Sequence, residues 1–191
     1  MLETMDTKAS RTVLKLASVD KDDWLLDVGC GSAPFLSRLE EGTLVGIDVA
    51  PEALSIARTR TRAHLVRASG EWLPFRDLAF DRVLCHHVLE HLDNMPRGLQ
   101  DMRRVLKPSA KLVLAYPNSN YLPFLLGIVR QDPLHRGQIS STARFPGFKA
   151  LQKHVFLNIP HIGDSLTLSK VPLLRDLFYN VIVLLERDDD G

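Results

Sequence analysis

Cysteine is scarce: Cys30 and Cys85 are the two in 191 residues, too few for a disulfide framework and in keeping with a reducing compartment. Charge of one sign is also lacking. Lys and Arg number 24 against 23 Asp and Glu, a formal charge of +1, so no global field draws the chain to nucleic acid or to an anionic membrane. Long apolar runs are missing as well. The longest, Tyr121 to Val129, falls well short of the roughly 20 residues that cross a bilayer. Met1 to Ser10 carries Glu3, Asp6 and Lys8 instead of the apolar core of a secretory signal, and a cytoplasmic location is the expectation. Aromatics make up 7% of the chain and do not interleave with the basic clusters Arg58, Arg60, Arg62 or Arg103, Arg104, Lys107. Those clusters therefore read as solvated helix faces, not as a platform for stacking bases. What is present, 45% hydrophobic and 25% charged residues, suits one globular domain with one substantial core.

Along the chain, Thr7 to Ser18 has helical spacing of Val13, Leu14, Leu16 and Ala17 and is predicted to be a helix. Trp24 to Val28 is a buried strand that runs into the loop Gly29-Cys30-Gly31-Ser32-Ala33. Pro34 is placed to open a helix carrying Phe35, Leu36 and Leu39, and Pro51-Glu52 to open another carrying Leu54, Ile56 and Ala57. Further strands are expected at Thr43–Ile47, His64–Val66, Phe80–Cys85, Lys111–Ala115 and Val181–Leu185, with a helix from near Pro96 to before Pro108 and another at Leu173–Tyr179. Strand-helix alternation on this scale implies βαβ crossovers, hence an α/β, Rossmann-like doubly wound fold whose mainly parallel sheet has helices on both faces. The expected organisation is a single domain: an N-terminal helix within 1–23, a cofactor-binding core at 24–117, an irregular segment at 118–170 that caps the site and binds the acceptor, and a terminal helix and strand at 171–191.

In such a sheet, ligands bind beyond the carboxyl ends of the strands. The residues that end strands are Asp27, Gly29, Cys30 and Gly31 after the first, Asp48 after the second, Ser69, Gly70 and Glu71 after the third, and His86 and His87 after the fourth. Gly29 and Gly31 allow a sharp turn and close approach of a ligand to the backbone. Asp27 at the loop entrance would repel a dinucleotide's diphosphate but attract an ammonium, and the third glycine of the dinucleotide fingerprint is missing after Gly31. Asp48, 17 residues beyond Gly31, can accept from both hydroxyls of a ribose. A nucleoside with an amino-acid tail is the ligand these two acids describe.

Leu25-Leu26-Asp27-Val28-Gly29-Cys30-Gly31 resembles the first motif of the class I S-adenosylmethionine-dependent methyltransferases, and Val45-Gly46-Ile47-Asp48 resembles their ribose motif. Leu73-Pro74-Phe75, Phe80-Asp81, Val88-Leu89-Glu90-His91-Leu92 and Val105-Leu106-Lys107-Pro108 look like the small-molecule branch that includes ubiquinone and menaquinone methyltransferases. The resemblance implies S-adenosyl-L-methionine as cofactor, with Asp27 and the Gly29 and Gly31 backbone at the methionine, Asp48 at the ribose and Val49 against the adenine. Ser69 departs from the family's usual aspartate, and Ala33 stands where many relatives have glycine.

The implied activity is methyl transfer to a small, hydrophobic acceptor; a non-catalytic S-adenosylmethionine-binding protein would keep the same acids and glycines. His86 and His87, near where the family holds its methyl group, are the candidates for a base, or else one lends a backbone carbonyl to the cofactor while the other packs. His91 lies four residues after His87, and the pair could share a helical face, but no Cys or carboxylate completes a metal site. Cys30 and Cys85 end neighbouring strands and are expected close together as packing residues. Segment 121–129 is a candidate acceptor pocket or membrane-surface contact, and either 118–170 or a second copy in a homodimer would supply the lid.

Overall fold

The computed structural model describes residues 7–118, 139–140, 143–156 and 180–188. Seven strands form one sheet: β1 (Trp24–Val28), β2 (Thr43–Asp48), β3 (His64–Arg67), β4 (Phe80–His86), β5 (Leu106–Pro117), β6 (Phe148–Phe156) and β7 (Asn180–Arg187), in the spatial order β3-β2-β1-β4-β5-β7-β6. Strands β3 to β5 run parallel through β2, β1 and β4, while β7 is antiparallel to both β5 and β6. The order reverses between β1 and β4, which is where this class of sheet opens a crevice at its carboxyl edge.

Alternation along the strands divides the core in two. Leu26, Val28, Ile47, Val83, Cys85, Leu114 and Tyr116 face one layer with Met102 and Val105 of α3 (Met95–Val105). Leu25, Leu44, Leu84 and Val113 face the other with Val13, Leu16 and Ala17 of α1 (Lys8–Ala17) and Leu54 and Ala57 of α2 (Pro51–Arg58). Helices thus cover both faces. Thr7 caps α1 by accepting the Ser10 N–H at 3.1 Å, and Asn94 caps α3 by accepting the Arg97 N–H at 3.0 Å. Pro51 occupies the first turn of α2, where no N–H is needed.

The structure corrects four expectations. No helix follows Pro34: Ala33 sits at φ 61° and the chain makes a single 3-10 turn at Leu36–Arg38. Strand β5 begins at Leu106, well before Lys111, because the pairing with β4 shifts register beside Phe80 and the resulting bulge accommodates Pro108 and Ser109. The segment 118–170 is not wholly irregular: it contributes edge strand β6, and Ile139 and Phe145 are buried in the core. Cys30 and Cys85 pack on opposite faces of the sheet, not side by side. The candidate pocket at 121–129 and the expected helix at 173–179 lie outside the described residues. Among the described residues no helix is long and apolar enough to cross a membrane.

Candidate functional site

At the reversal between β1 and β4, a cleft of about 590 Å³ is lined by Gly29, Asp48, Val49, Ser69, Gly70, Glu71 and His87, with Ala68, Val88, His91, Leu92 and Asp93. Seven of the candidate cofactor-binding and catalytic residues therefore share one concavity, together with His91. Asp27, Cys30, Gly31 and His86 do not line it.

Glycine is required at the bend after β1. Gly29 has φ 71°, and a Cβ there would lie 2.2 Å from Val88 Cγ2, so the loop and the turn after β4 touch only because no side chain intervenes. Gly31, at φ 51°, donates its N–H to Asp48 Oδ2 at 2.8 Å, and Ala50 donates to Oδ1 at 2.9 Å. Each carboxylate oxygen keeps a further lone pair, so the two backbone bonds fix the plane of Asp48 without using up its capacity for hydroxyls.

Asp27, on β1, is 2% exposed and its Oδ2 has no hydrogen-bond partner. Burial, with the Asp48 charge adding to it, pushes its carboxyl well above the usual range. A buried acceptor left open in this way suits an incoming ammonium group. The Cys30 side chain does not line the cleft but packs in the core layer of α1 and α2, where burial and the Asp27 and Asp48 charges push the thiol up to about 12.

The far wall is tied to α3. Ser69 Oγ accepts the Glu71 N–H at 3.2 Å, Glu71 Oε1 accepts the Asn94 N–H at 2.6 Å, and the Arg97 guanidinium lies 3.9 Å over the Trp72 ring. The Ser69 hydroxyl thus shapes its own loop as well as facing the cleft.

The two histidines part company at the end of β4. His86 packs against Phe35 at 4.6 Å between ring centroids, and burial together with neighbouring His87 pushes its pKa down to about 3. His87 turns at φ 54°, held by its N–H donating to the Ala115 carbonyl at 2.8 Å, and its Nδ1 lies 3.0 Å from Glu90 Oε1. The expected helix shared by His87 and His91 does not form: the left-handed residue is followed by a 3-10 turn at Leu89–His91. Glu90 was visible in the sequence only as part of a motif; its spacing of three residues after His87 was the signal for the pairing. Among the described residues no group of three or more His, Cys, Asp or Glu could hold a metal ion.

Residues 26–114 match the model of the methyltransferase domain family. The 2-phytyl-1,4-naphtoquinone methyltransferase of Trichormus variabilis is 32% identical over 113 residues, covering 53% of this chain and 49% of that protein. The demethylmenaquinone methyltransferase of Tropheryma whipplei is 32% identical over 127 residues, covering 62% and 53%. The chain spans about half the length of the curated relatives it matches. Among solved structures, the S-adenosylmethionine dependent methyltransferase of Mesorhizobium loti superposes with a TM-score of 0.71 at 15% identity, over 95% of this chain and 99% of that one. The YcgJ protein of Bacillus subtilis gives 0.69 at 18%, over 95% and 98%; at these identities the likeness is one of fold. Over residues 26–114 the chain is similar to methyltransferase domains, and its strand order and its cleft at the reversal between β1 and β4 are those of a Rossmann-like fold.

Proposed function

We propose that the protein transfers the methyl group of S-adenosylmethionine to a small, hydrophobic acceptor. The observation that carries this reading is the cleft at the β1/β4 reversal, lined by Asp48 at the end of β2, with the buried Asp27 on the adjacent strand β1. Asp48, held in plane by two backbone N–H groups, binds the ribose. Val49 and Ser69-Gly70-Glu71 receive the adenine, and the Gly29–Gly31 loop with Asp27 receives the methionine end. When bound, the cofactor supplies an electrophilic methyl carbon on a sulfonium. The protein's part is to hold an acceptor in line with that carbon and to keep water away. Support for a hydrophobic acceptor comes from the relatives named for phytyl-naphthoquinone and demethylmenaquinone.

Calorimetric titration with S-adenosylmethionine, S-adenosylhomocysteine and NAD tests the reading. Both sulfur ligands should bind and NAD should not, and Asp48→Ala, shown to be folded by its own thermal transition, should lose the affinity. Folded wild-type protein that binds neither sulfur ligand would refute the proposal. Binding with no transfer to a panel of hydrophobic acceptors would favour a non-catalytic role.

A further inference from the structure

The cleft wall after β4 contains His87, and Glu90 stands buried behind it. His87 is a non-glycine residue at φ 54°, a conformation costing on the order of 1 kcal/mol or more, which persists only when something holds it. Its N–H bond to the Ala115 carbonyl at 2.8 Å does so, and the ring lines the cleft. Glu90 is fully buried, its Oε1 is 3.0 Å from His87 Nδ1, and its Oε2 has no partner. A carboxylate placed in an apolar turn with so little compensation is costly. It makes physical sense as the group that orients an imidazole.

We infer that His87 is the base that removes the acceptor's proton, fixed by Glu90 in the tautomer that leaves Nε2 unprotonated, and that the acceptor is a hydroxyl or carbon acid. The inference rests on the methyltransferase reading. With Nδ1–H donating to Glu90, Nε2 is the ring atom left to meet a ligand. His86 does not line the cleft and packs against Phe35, and the Cys85 thiol is buried in the core under the sheet. In the reaction His87 Nε2 takes the acceptor's proton. The electron pair so freed bonds the methyl carbon as the carbon–sulfur bond breaks towards sulfur, leaving a neutral thioether. The imidazolium then returns its proton to solvent, to which the His87 side chain is 29% exposed. Groups that are methylated without losing a proton, such as a tertiary amine, would gain nothing from this pair.

The test uses the full chain saturated with S-adenosylhomocysteine. Long-range ¹H–¹⁵N correlation of the imidazole rings, with His87 assigned by its loss in His87→Gln, should show Nδ1 protonated and Nε2 bare. In Glu90→Gln that preference should disappear. Transfer from S-adenosylmethionine to 1,4-dihydroxynaphthalene or catechol in single turnover should fall roughly 10²- to 10⁴-fold in His87→Gln, with S-adenosylhomocysteine still bound. His91→Gln, which alters the other imidazole lining the cleft, should retain more activity than His87→Gln. The inference is overturned by an Nε2–H tautomer in the wild type, by His87→Gln transferring at the wild-type rate, or by wild type that binds the cofactor yet methylates neither probe. Failure to bind S-adenosylhomocysteine would instead overturn the underlying methyltransferase reading.

Discussion

Asp27 is a titratable group that the fold takes out of water and His86 one that it partly buries, and each sets a different pH dependence. Asp27's pKa is raised mainly by burial, so its ionised form is a burden on the ligand-free protein that sets in as pH rises above the unfolded value of 3.8. Asp27→Asn should therefore raise the unfolding temperature of the unliganded protein at neutral pH, because burying an amide costs less than burying a charge. The same change should weaken S-adenosylmethionine binding on the order of 10- to 100-fold, the loss of a charge-assisted hydrogen bond. Calorimetry and thermal unfolding of the variant check both, and a lower unliganded transition would contradict the first. For His86 the folded pKa of about 3 lies below the ordinary 6.5. Between those values the unfolded chain binds a proton that the folded chain refuses, so stability falls as pH drops, by at most about 1.4 kcal/mol per pH unit. His86→Phe should flatten that slope in denaturant titrations at pH 5 and pH 7. Neighbouring histidines were indistinguishable in the sequence. What separates them, the left-handed turn that the backbone takes at His87 while His86 is still in the strand, is a backbone property that spacing does not carry.

At the scale of elements, the loop after β3 depends on one residue of α3. Arg104 bonds Asp101, Asp77 and the carbonyls of Leu73 and Phe75, while Asp101 Oδ2 accepts the Leu73 N–H at 2.5 Å. Asp101 is 4% exposed and Arg104 half-buried. Arg104→Ala leaves that carboxylate under-compensated, and after allowing for solvent around the guanidinium it should cost about 2 kcal/mol, read from urea unfolding. The parallel strands β1 to β4 were legible to within a residue at their ends because each is a short apolar run stopped by a polar or glycine turn. The helix after Pro34 was not, since Ala33 in the left-handed region and a 3-10 turn replace it. Strand β6 was missed for another reason. Its pattern slips phase at the register shift between Ala150 and Gln152, and as an edge strand it has no fully apolar run to betray it.

For the whole molecule, the reversal of strand order places the cleft where residues from β1, β2, β3 and β4 converge, so ligand binding should stabilise the entire sheet. At a ligand concentration one hundred times Kd the gain is about 2.7 kcal/mol, which for a chain of this size corresponds to a rise of roughly 5–11 °C in Tm. Thermal scans with S-adenosylhomocysteine measure it, and a transition unmoved by ligand would mean that no such site exists. The fold class and most of the residues lining the cleft were legible because they rest on motifs at strand ends. His87 was legible as a candidate but its pairing with Glu90 was not, because the two side chains meet only through the turn after β4.

The separation of Cys30 and Cys85 onto opposite faces of the sheet turns the two thiols into independent clocks. Each becomes reactive only when its own layer lifts away, the α1 and α2 layer for Cys30 and the α3 layer for Cys85. Equal labelling rates with a thiol reagent would mean that the two layers come apart in one concerted event. Slower labelling of Cys30 alone in the presence of S-adenosylhomocysteine would show that the cofactor loop latches one layer while the other continues to breathe.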